Sequence, residues 1–93
     1  MQLYAIRRRN GWKDGPALQE AAAVSTAEGE KMPDDIRWIR SYVLAEDDGS
    51  LGTVCIYEAS SPEKIREHAG RVGMPADEIS LVADTVVVRP DPS

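Results

Sequence analysis

The side chains that could do chemistry in this sequence are few, and most of them lie between residues 37 and 68. The chain has one cysteine, Cys55, and one histidine, His68. A single histidine without a partner motif is more often a hydrogen-bonded structural residue than a general base or a ligand. Cys55 lies in a predicted central strand, where cysteine usually behaves as a small hydrophobic residue. Glu58 has two interpretations, a strand-end salt bridge with Arg37 or Lys64, or a carboxylate of raised pKa at a cavity mouth.

Charge and composition exclude several classes of function. The formal net charge is −5, and the one basic cluster, Arg7-Arg8-Arg9, is too short to provide the broad basic surface that nucleic-acid binding requires. One cysteine allows neither an internal disulfide nor a zinc site built on thiolates. No apolar run approaches the roughly 20 residues that span a bilayer. The first ten residues lack the features of a signal peptide, so the sequence predicts a cytoplasmic protein with neither nucleic-acid nor membrane partners.

Hydrophobic periodicity and turn signals predict six elements in the order strand, helix, strand, strand, helix, strand. This order predicts an α+β, ferredoxin-like fold with a four-stranded antiparallel sheet and both helices on one face. Residues 1–93 would then form a single domain, with residues 89–93 as a tail. The predicted strands are Leu3–Arg9, Ile36–Ala45, Leu51–Ala59 and Ile79–Val88, and the predicted helices begin near Pro16 and Pro62.

The first predicted helix is unusual because its inward stripe is made almost entirely of small residues. Only one of the five side chains is large, so the helix either packs closely on the sheet or leaves room for a ligand. The stripe consists of Leu18, Ala21, Ala22, Ser25 and Gly29.

The hairpin between residues 37 and 59 carries the strongest pattern in the chain. A two-residue loop at Asp48-Gly49 predicts that one sheet face, toward the helices, carries Ile39, Val43, Val54 and Ile56, with Glu58 at its end. The two helices cover only one face of the sheet, and the aromatic and arginine content of the other face is typical of interface cores. We therefore predict a homodimer interface formed by Trp38, Arg40, Tyr42, Cys55 and Tyr57.

Four blocks in this half of the chain resemble the small bacterial nickel-binding-protein-like domains of unknown function within the dimeric α/β-barrel group. The blocks are Trp38–Val43, Cys55–Ala59, Ile65–Ala69 and Gly73–Ile79, and together the resemblance covers roughly residues 37–82. It implies a ferredoxin-like subunit that dimerises through its sheet, and it implies nickel binding. Nickel suits imidazole donors. Because the chain has only His68, and an arginine at position 40 where the family often has histidine, we predict no metal and no other cofactor.

The sequence therefore favours a homodimeric small-ligand-binding or accessory protein over an enzyme, with itself and a small molecule as partners. No catalytic residue is assigned. A cofactor-independent monooxygenase or isomerase of the dimeric α/β-barrel group is one alternative, and a nickel-binding protein is the other. The candidate ligand-binding residues are Arg40, Tyr42, Tyr57, Glu58 and His68.

Overall fold

The elements alternate as the sequence predicts over residues 1–92, the part of the chain that this computed structural model describes. The strands form one antiparallel sheet in the order β2-β3-β1-β4. The predicted α+β, ferredoxin-like arrangement is confirmed. The bounds are β1 Gln2–Trp12, α1 Gly15–Glu30, β2 Ile36–Ala45, β3 Leu51–Ala59, α2 Pro62–Val72 and β4 Glu78–Leu81.

Both helices begin at side-chain caps, close to the predicted starts at Pro16 and Pro62. The Asp14 carboxylate accepts a hydrogen bond from the backbone N–H of Ala17 at 3.0 Å, and the Ser61 hydroxyl accepts one from Lys64 at 3.3 Å. Each cap satisfies a backbone donor that the first helical turn leaves free, and a proline follows each cap within the first turn. Gly73 ends α2 with φ +81°, the left-handed conformation that glycine adopts without steric cost.

The helices cover one face of the sheet, and the core lies between them and the central strands β1 and β3. Alternate residues of these strands point toward the helices and are buried, whereas their neighbours in sequence are only partly buried. The buried hydrophobic residues of this layer are Tyr4, Ile6, Met32, Ile36, Cys55, Tyr57, Ala59 and Ile65.

The predicted register of the hairpin is wrong by one residue next to its loop and by two residues beyond an irregularity at Trp38–Arg40. Its loop has three residues, Asp47 to Gly49, because Glu46 N–H donates to the Ser50 carbonyl at 3.0 Å and Gly49 has φ +88°. Three-residue loops with a left-handed glycine are the next commonest hairpin connection after two-residue loops. Each residue in the loop-proximal part of β2 therefore meets the β3 residue one position earlier than predicted.

This shift turns β3 over relative to the prediction, since successive side chains of a strand point to opposite faces. Ser41 pairs with Cys55 and Val43 with Thr53 on the helix-covered face. On the open face, Arg40 pairs with Ile56 and Tyr42 with Val54. The prediction that Val54 and Ile56 face the helices is wrong.

An irregularity between Trp38 and Arg40 moves Trp38 to the helix-covered face as well, where it pairs with Tyr57. The ring centroids of these two residues are 6.0 Å apart and nearly parallel. A β-bulge of this kind adds a residue, here Ile39, and redirects the side chains beyond it. Trp38, Cys55 and Tyr57 therefore do not belong to the open face, and their assignment to a dimer interface there is wrong.

The last strand is shorter than predicted, because β4 ends at Leu81 rather than at Val88. From residue 82 to residue 92 the chain has neither helix nor strand, and Asp91 returns to the open face at Arg40 and Tyr42. Between these points Val86, Val87 and Val88 are 76–84% exposed. Neither helix among the described residues is long and apolar enough to cross a membrane.

Candidate functional site

A cavity of about 200 Å³ lies between α1 and the helix-covered face of the sheet. We call it the α1 cavity. The small residues of the predicted stripe form its roof, so the stripe leaves room rather than packing tightly. Its principal lining residues are Leu18, Ala21, Ala22 and Ser25 from α1, Trp38, Ser41, Val43, Thr53, Cys55 and Tyr57 from β2 and β3, and Arg8, Trp12 and Met74 around them.

Four polar side chains that β2 and β3 contribute to the α1 cavity are bonded to one another. Trp38 Nε1 donates to Ser41 Oγ at 2.7 Å, and Ser41 Oγ donates to Cys55 Sγ at 3.0 Å. Cys55 Sγ in turn lies 3.5 Å from Thr53 Oγ1. This chain of hydrogen bonds fixes the side chains of the cavity wall and leaves a mainly apolar surface facing inward.

Tyr57 lies at the centre of the helix-covered face and is 1% exposed. Its hydroxyl is 3.3 Å from Ser25 Oγ, which joins β3 to α1. Burial raises the pKa of the Tyr57 phenol above its usual value, with the nearby Cys55 adding to that effect, while the bond to Ser25 and the charge of Arg8 oppose it. The phenol is therefore neutral at physiological pH.

Arg8 is the most unexpected member of the lining, because its side chain is 1% exposed. Its Nε donates to the Pro75 carbonyl at 2.6 Å. Within residues 1–92, neither Nη1 nor Nη2 has a hydrogen-bond partner. Sequence reasoning treated this arginine only as part of a basic cluster. The signal that identifies it is the alternation of β1, which places Arg8 on the same face as the buried Tyr4 and Ile6.

His68 lies outside the α1 cavity, in the contact between the two helices and β3. Its Nε2 is 3.0 Å from the Ser25 carbonyl, so this nitrogen carries the proton and donates. The ring also packs against Tyr57, with centroids 5.8 Å apart. His68 is 1% exposed and borders a separate depression formed by α1 and the start of β2. It is a buried residue whose ring is hydrogen-bonded to the backbone.

The other three predicted ligand-binding residues lie on the opposite face of the sheet. Arg40 Nη1 and Tyr42 Oη bond to the Asp91 carboxylate at 3.3 and 2.8 Å. Glu58 pairs with Leu3 and Arg37 on that same open face, so the prediction that it faces the helices is wrong. The predicted set therefore forms no single pocket, since the sheet separates Tyr57 and His68 from Arg40, Tyr42 and Glu58.

Comparison with known proteins identifies the family of this chain. The model of the family described as nickel responsive protein SCO4226-like matches residues 4–82. The chain belongs to the SCO4226-like family. This membership confirms the resemblance carried by the four sequence blocks. The crystal structure of SCO4226 from Streptomyces coelicolor A3(2) superposes with a TM-score of 0.73 at 20% identity, covering 90% of this chain and 99% of that one. No curated protein matches the chain.

The side chains of residues 1–92 do not fit the nickel site that the sequence resemblance implied. Among residues 1–92, no group of three or more His, Cys, Asp or Glu side chains could hold a metal ion. Nickel favours imidazole nitrogens, and the Nε2 of His68 is already bonded to a backbone carbonyl. The site that the geometry offers is instead an apolar cavity with one buried cation.

Proposed function

We propose that this protein binds a small, mainly apolar molecule in the α1 cavity. The observation that carries the proposal is the cavity itself, which the small residues of α1 open over a wall of aromatic and hydroxyl side chains. Well-packed interiors contain few voids larger than a water molecule. Pockets lined by apolar and aromatic groups with a few fixed polar groups are typical of small-molecule sites.

The experiment fills the cavity by placing a larger side chain on its α1 side. Ala22 lines the cavity and the adjacent Ala23 is exposed, so Ala22→Leu and Ala23→Leu form a matched pair on one helix. Indole serves as a neutral apolar probe, and ¹H–¹⁵N chemical shifts of wild type and both variants report its binding. We expect saturable shifts in wild type and in Ala23→Leu, and their loss in Ala22→Leu. Equal binding by all three proteins, or none by wild type, would contradict the proposal.

We further propose that the protein works as a homodimer that uses the open face of the sheet together with the segment after β4. Three consecutive valines, Val86 to Val88, are exposed, and β2 is an edge strand with its own exposed apolar residues. Exposed apolar segments and unpaired edges are ready-made interaction surfaces. A second copy of the chain also has the Val86–Val88 segment and the β2 edge. In a two-fold symmetric dimer, the segment of each copy can therefore cover the β2 edge of the other.

Sedimentation equilibrium tests the dimer. We expect wild type to sediment at twice the mass of one chain and the double variant Val86→Lys with Val88→Lys to shift toward one chain. Val24 is an exposed valine of α1, and Val24→Lys provides the control for adding a charge at an exposed valine elsewhere. A wild-type protein that is monomeric at micromolar concentration, or a double variant that stays dimeric, would count against this part of the proposal.

A further inference from the structure

The guanidinium of Arg8 is the one feature of the α1 cavity that a purely apolar ligand does not explain. A charged side chain at 1% exposure is costly unless an opposite charge or a full set of hydrogen bonds compensates it. Arg8 has one hydrogen bond, from Nε to the Pro75 carbonyl, and within the described part of the chain its two Nη atoms have none.

The neighbouring arginines show that the chain supplies carboxylates where it needs them. Arg7 pairs with Glu46 at 3.0 Å, and Arg9 pairs with Glu78 at 2.7 Å. Both pairs are at least partly exposed, yet each cation has its anion. Arg8, the most buried of the three, has no ion-pair partner among residues 1–92. The missing anion is therefore not supplied by the described protein.

The polar groups that β2 and β3 contribute to the cavity wall already have hydrogen-bond partners. Trp38, Ser41, Cys55 and Thr53 are joined in one chain of hydrogen bonds. Tyr57 Oη lies within hydrogen-bond distance of Ser25 Oγ. Among the buried side-chain atoms that the structure describes in this wall, the two Nη atoms are thus the donors without a partner.

We propose that Arg8 binds the carboxylate of a small apolar monocarboxylic acid, whose body fills the α1 cavity. The inference deepens the proposed function and rests on it. With Nε held by Pro75, the two Nη atoms remain to form the paired hydrogen bonds that a carboxylate accepts from arginine. A monoanion suits the site better than a dianion, because one guanidinium compensates one buried charge and a second would remain unpaired.

The test compares an acid with its neutral isostere. Phenylacetate and phenylacetamide have nearly the same shape and differ in charge, and titration calorimetry or ¹H–¹⁵N shifts give the affinity of each. We expect wild type to prefer phenylacetate by roughly tenfold or more, as a charge-assisted, paired contact should give. Equal affinities in wild type would overturn the inference without any variant.

Variants then assign the preference to Arg8. Arg8→Met, of similar length and without charge, should lower phenylacetate affinity to that of the amide and leave amide affinity within about twofold, since the apolar contacts stay. Arg8→Lys should keep part of the preference, because it retains the charge and loses the planar pair of donors. Arg9→Met removes the same charge from an exposed position and is the control. A preference that survives in Arg8→Met would overturn the inference.

The outcomes separate this inference from the function on which it rests. If wild type binds indole and phenylacetamide but does not favour phenylacetate, the cavity binds neutral molecules and only the inference fails. If wild type binds none of the three probes, the proposed function fails with it. Folding of each variant is checked by its ¹H–¹⁵N spectrum and thermal midpoint, and the wild-type acid-to-amide ratio decides the question if Arg8→Met does not fold.

Discussion

Gly52 lies where the backbones of β1 and β3 and the Arg7–Glu46 ion pair approach one another most closely. A Cβ atom on Gly52 would lie 2.5 Å from Glu46 Oε2, 2.6 Å from the Arg8 carbonyl oxygen and 2.7 Å from Arg7 Nη1. Real Cβ atoms essentially never come within 3.0 Å of such atoms. We therefore expect Gly52→Ala to displace both the ion pair and the backbone of Arg8.

The magnitude follows from these three contacts. Overpacking by one methyl group typically costs about 1–3 kcal/mol. Loss of the half-buried ion pair adds to this, whereas alanine in a strand recovers about 0.5–1 kcal/mol of the backbone entropy that glycine loses. A net loss of about 2 kcal/mol lowers the thermal midpoint of a domain this size by roughly 8–16 °C. Circular dichroism melts and urea titrations measure both quantities.

Gly70 provides the matched control, because it lies inside α2 and a Cβ placed there would meet no atom of residues 1–92 within 4 Å apart from its chain neighbours and the adjacent helix backbone. Gly70→Ala should stabilise the protein by about 0.5–1 kcal/mol, as helix propensity predicts. A further variant separates the contacts of Gly52. Glu46→Ala removes the flexible contact but not the backbone contact with Arg8, so it should not restore Gly52→Ala. A Gly52→Ala protein that melts within about 2 °C of wild type, or full rescue by Glu46→Ala, would refute this explanation of the packing around Gly52.

Three further predictions concern groups around the site. The hydrogen bond from Asn10 N–H is the main cause that lowers the pKa of Glu46 below 4.5. The ionised Glu46 carboxylate therefore stabilises the fold above pH 4.5, and this contribution is lost as the pH falls below that value. The urea midpoints of wild type and Glu46→Gln should converge over the same fall in pH. Burial raises the pKa of Tyr57 above 10.0, so wild type should lose stability relative to Tyr57→Phe as pH rises past that value, and parallel midpoints would contradict the burial. Ser61→Ala removes the cap of α2 and should cost about 1 kcal/mol in a thermal melt, whereas an unchanged melt would show that the Lys64 N–H finds another acceptor.

The site was only partly predictable from the sequence. The small stripe of α1 was recognisable from the sequence, because helical spacing alone decides which side chains share a face. The sequence left open whether the helix packs closely on the sheet or leaves space, and the structure has the space. The set of side chains that line the α1 cavity was not predicted. Tyr57 does line the α1 cavity, but Arg40, Tyr42 and Glu58 lie beyond the sheet, and Arg8 was not selected. The error arose in the hairpin loop, where one additional residue reverses every side chain of β3.

Local sequence determined the order of elements, the caps at Asp14 and Ser61, and the left-handed end of α2 at Gly73, since each depends on residues within a few positions of one another. Tertiary structure decided which face each residue of the hairpin occupies, because strand register depends on loop geometry and on the bulge at Ile39. Only tertiary structure also separated the three consecutive arginines. Two of them pair with carboxylates of distant segments, whereas Arg8 lies buried beneath the helices, where its Nη atoms have no hydrogen-bond partner within residues 1–92. Burial and pairing depend on contacts between residues far apart in the chain, and no local pattern records them.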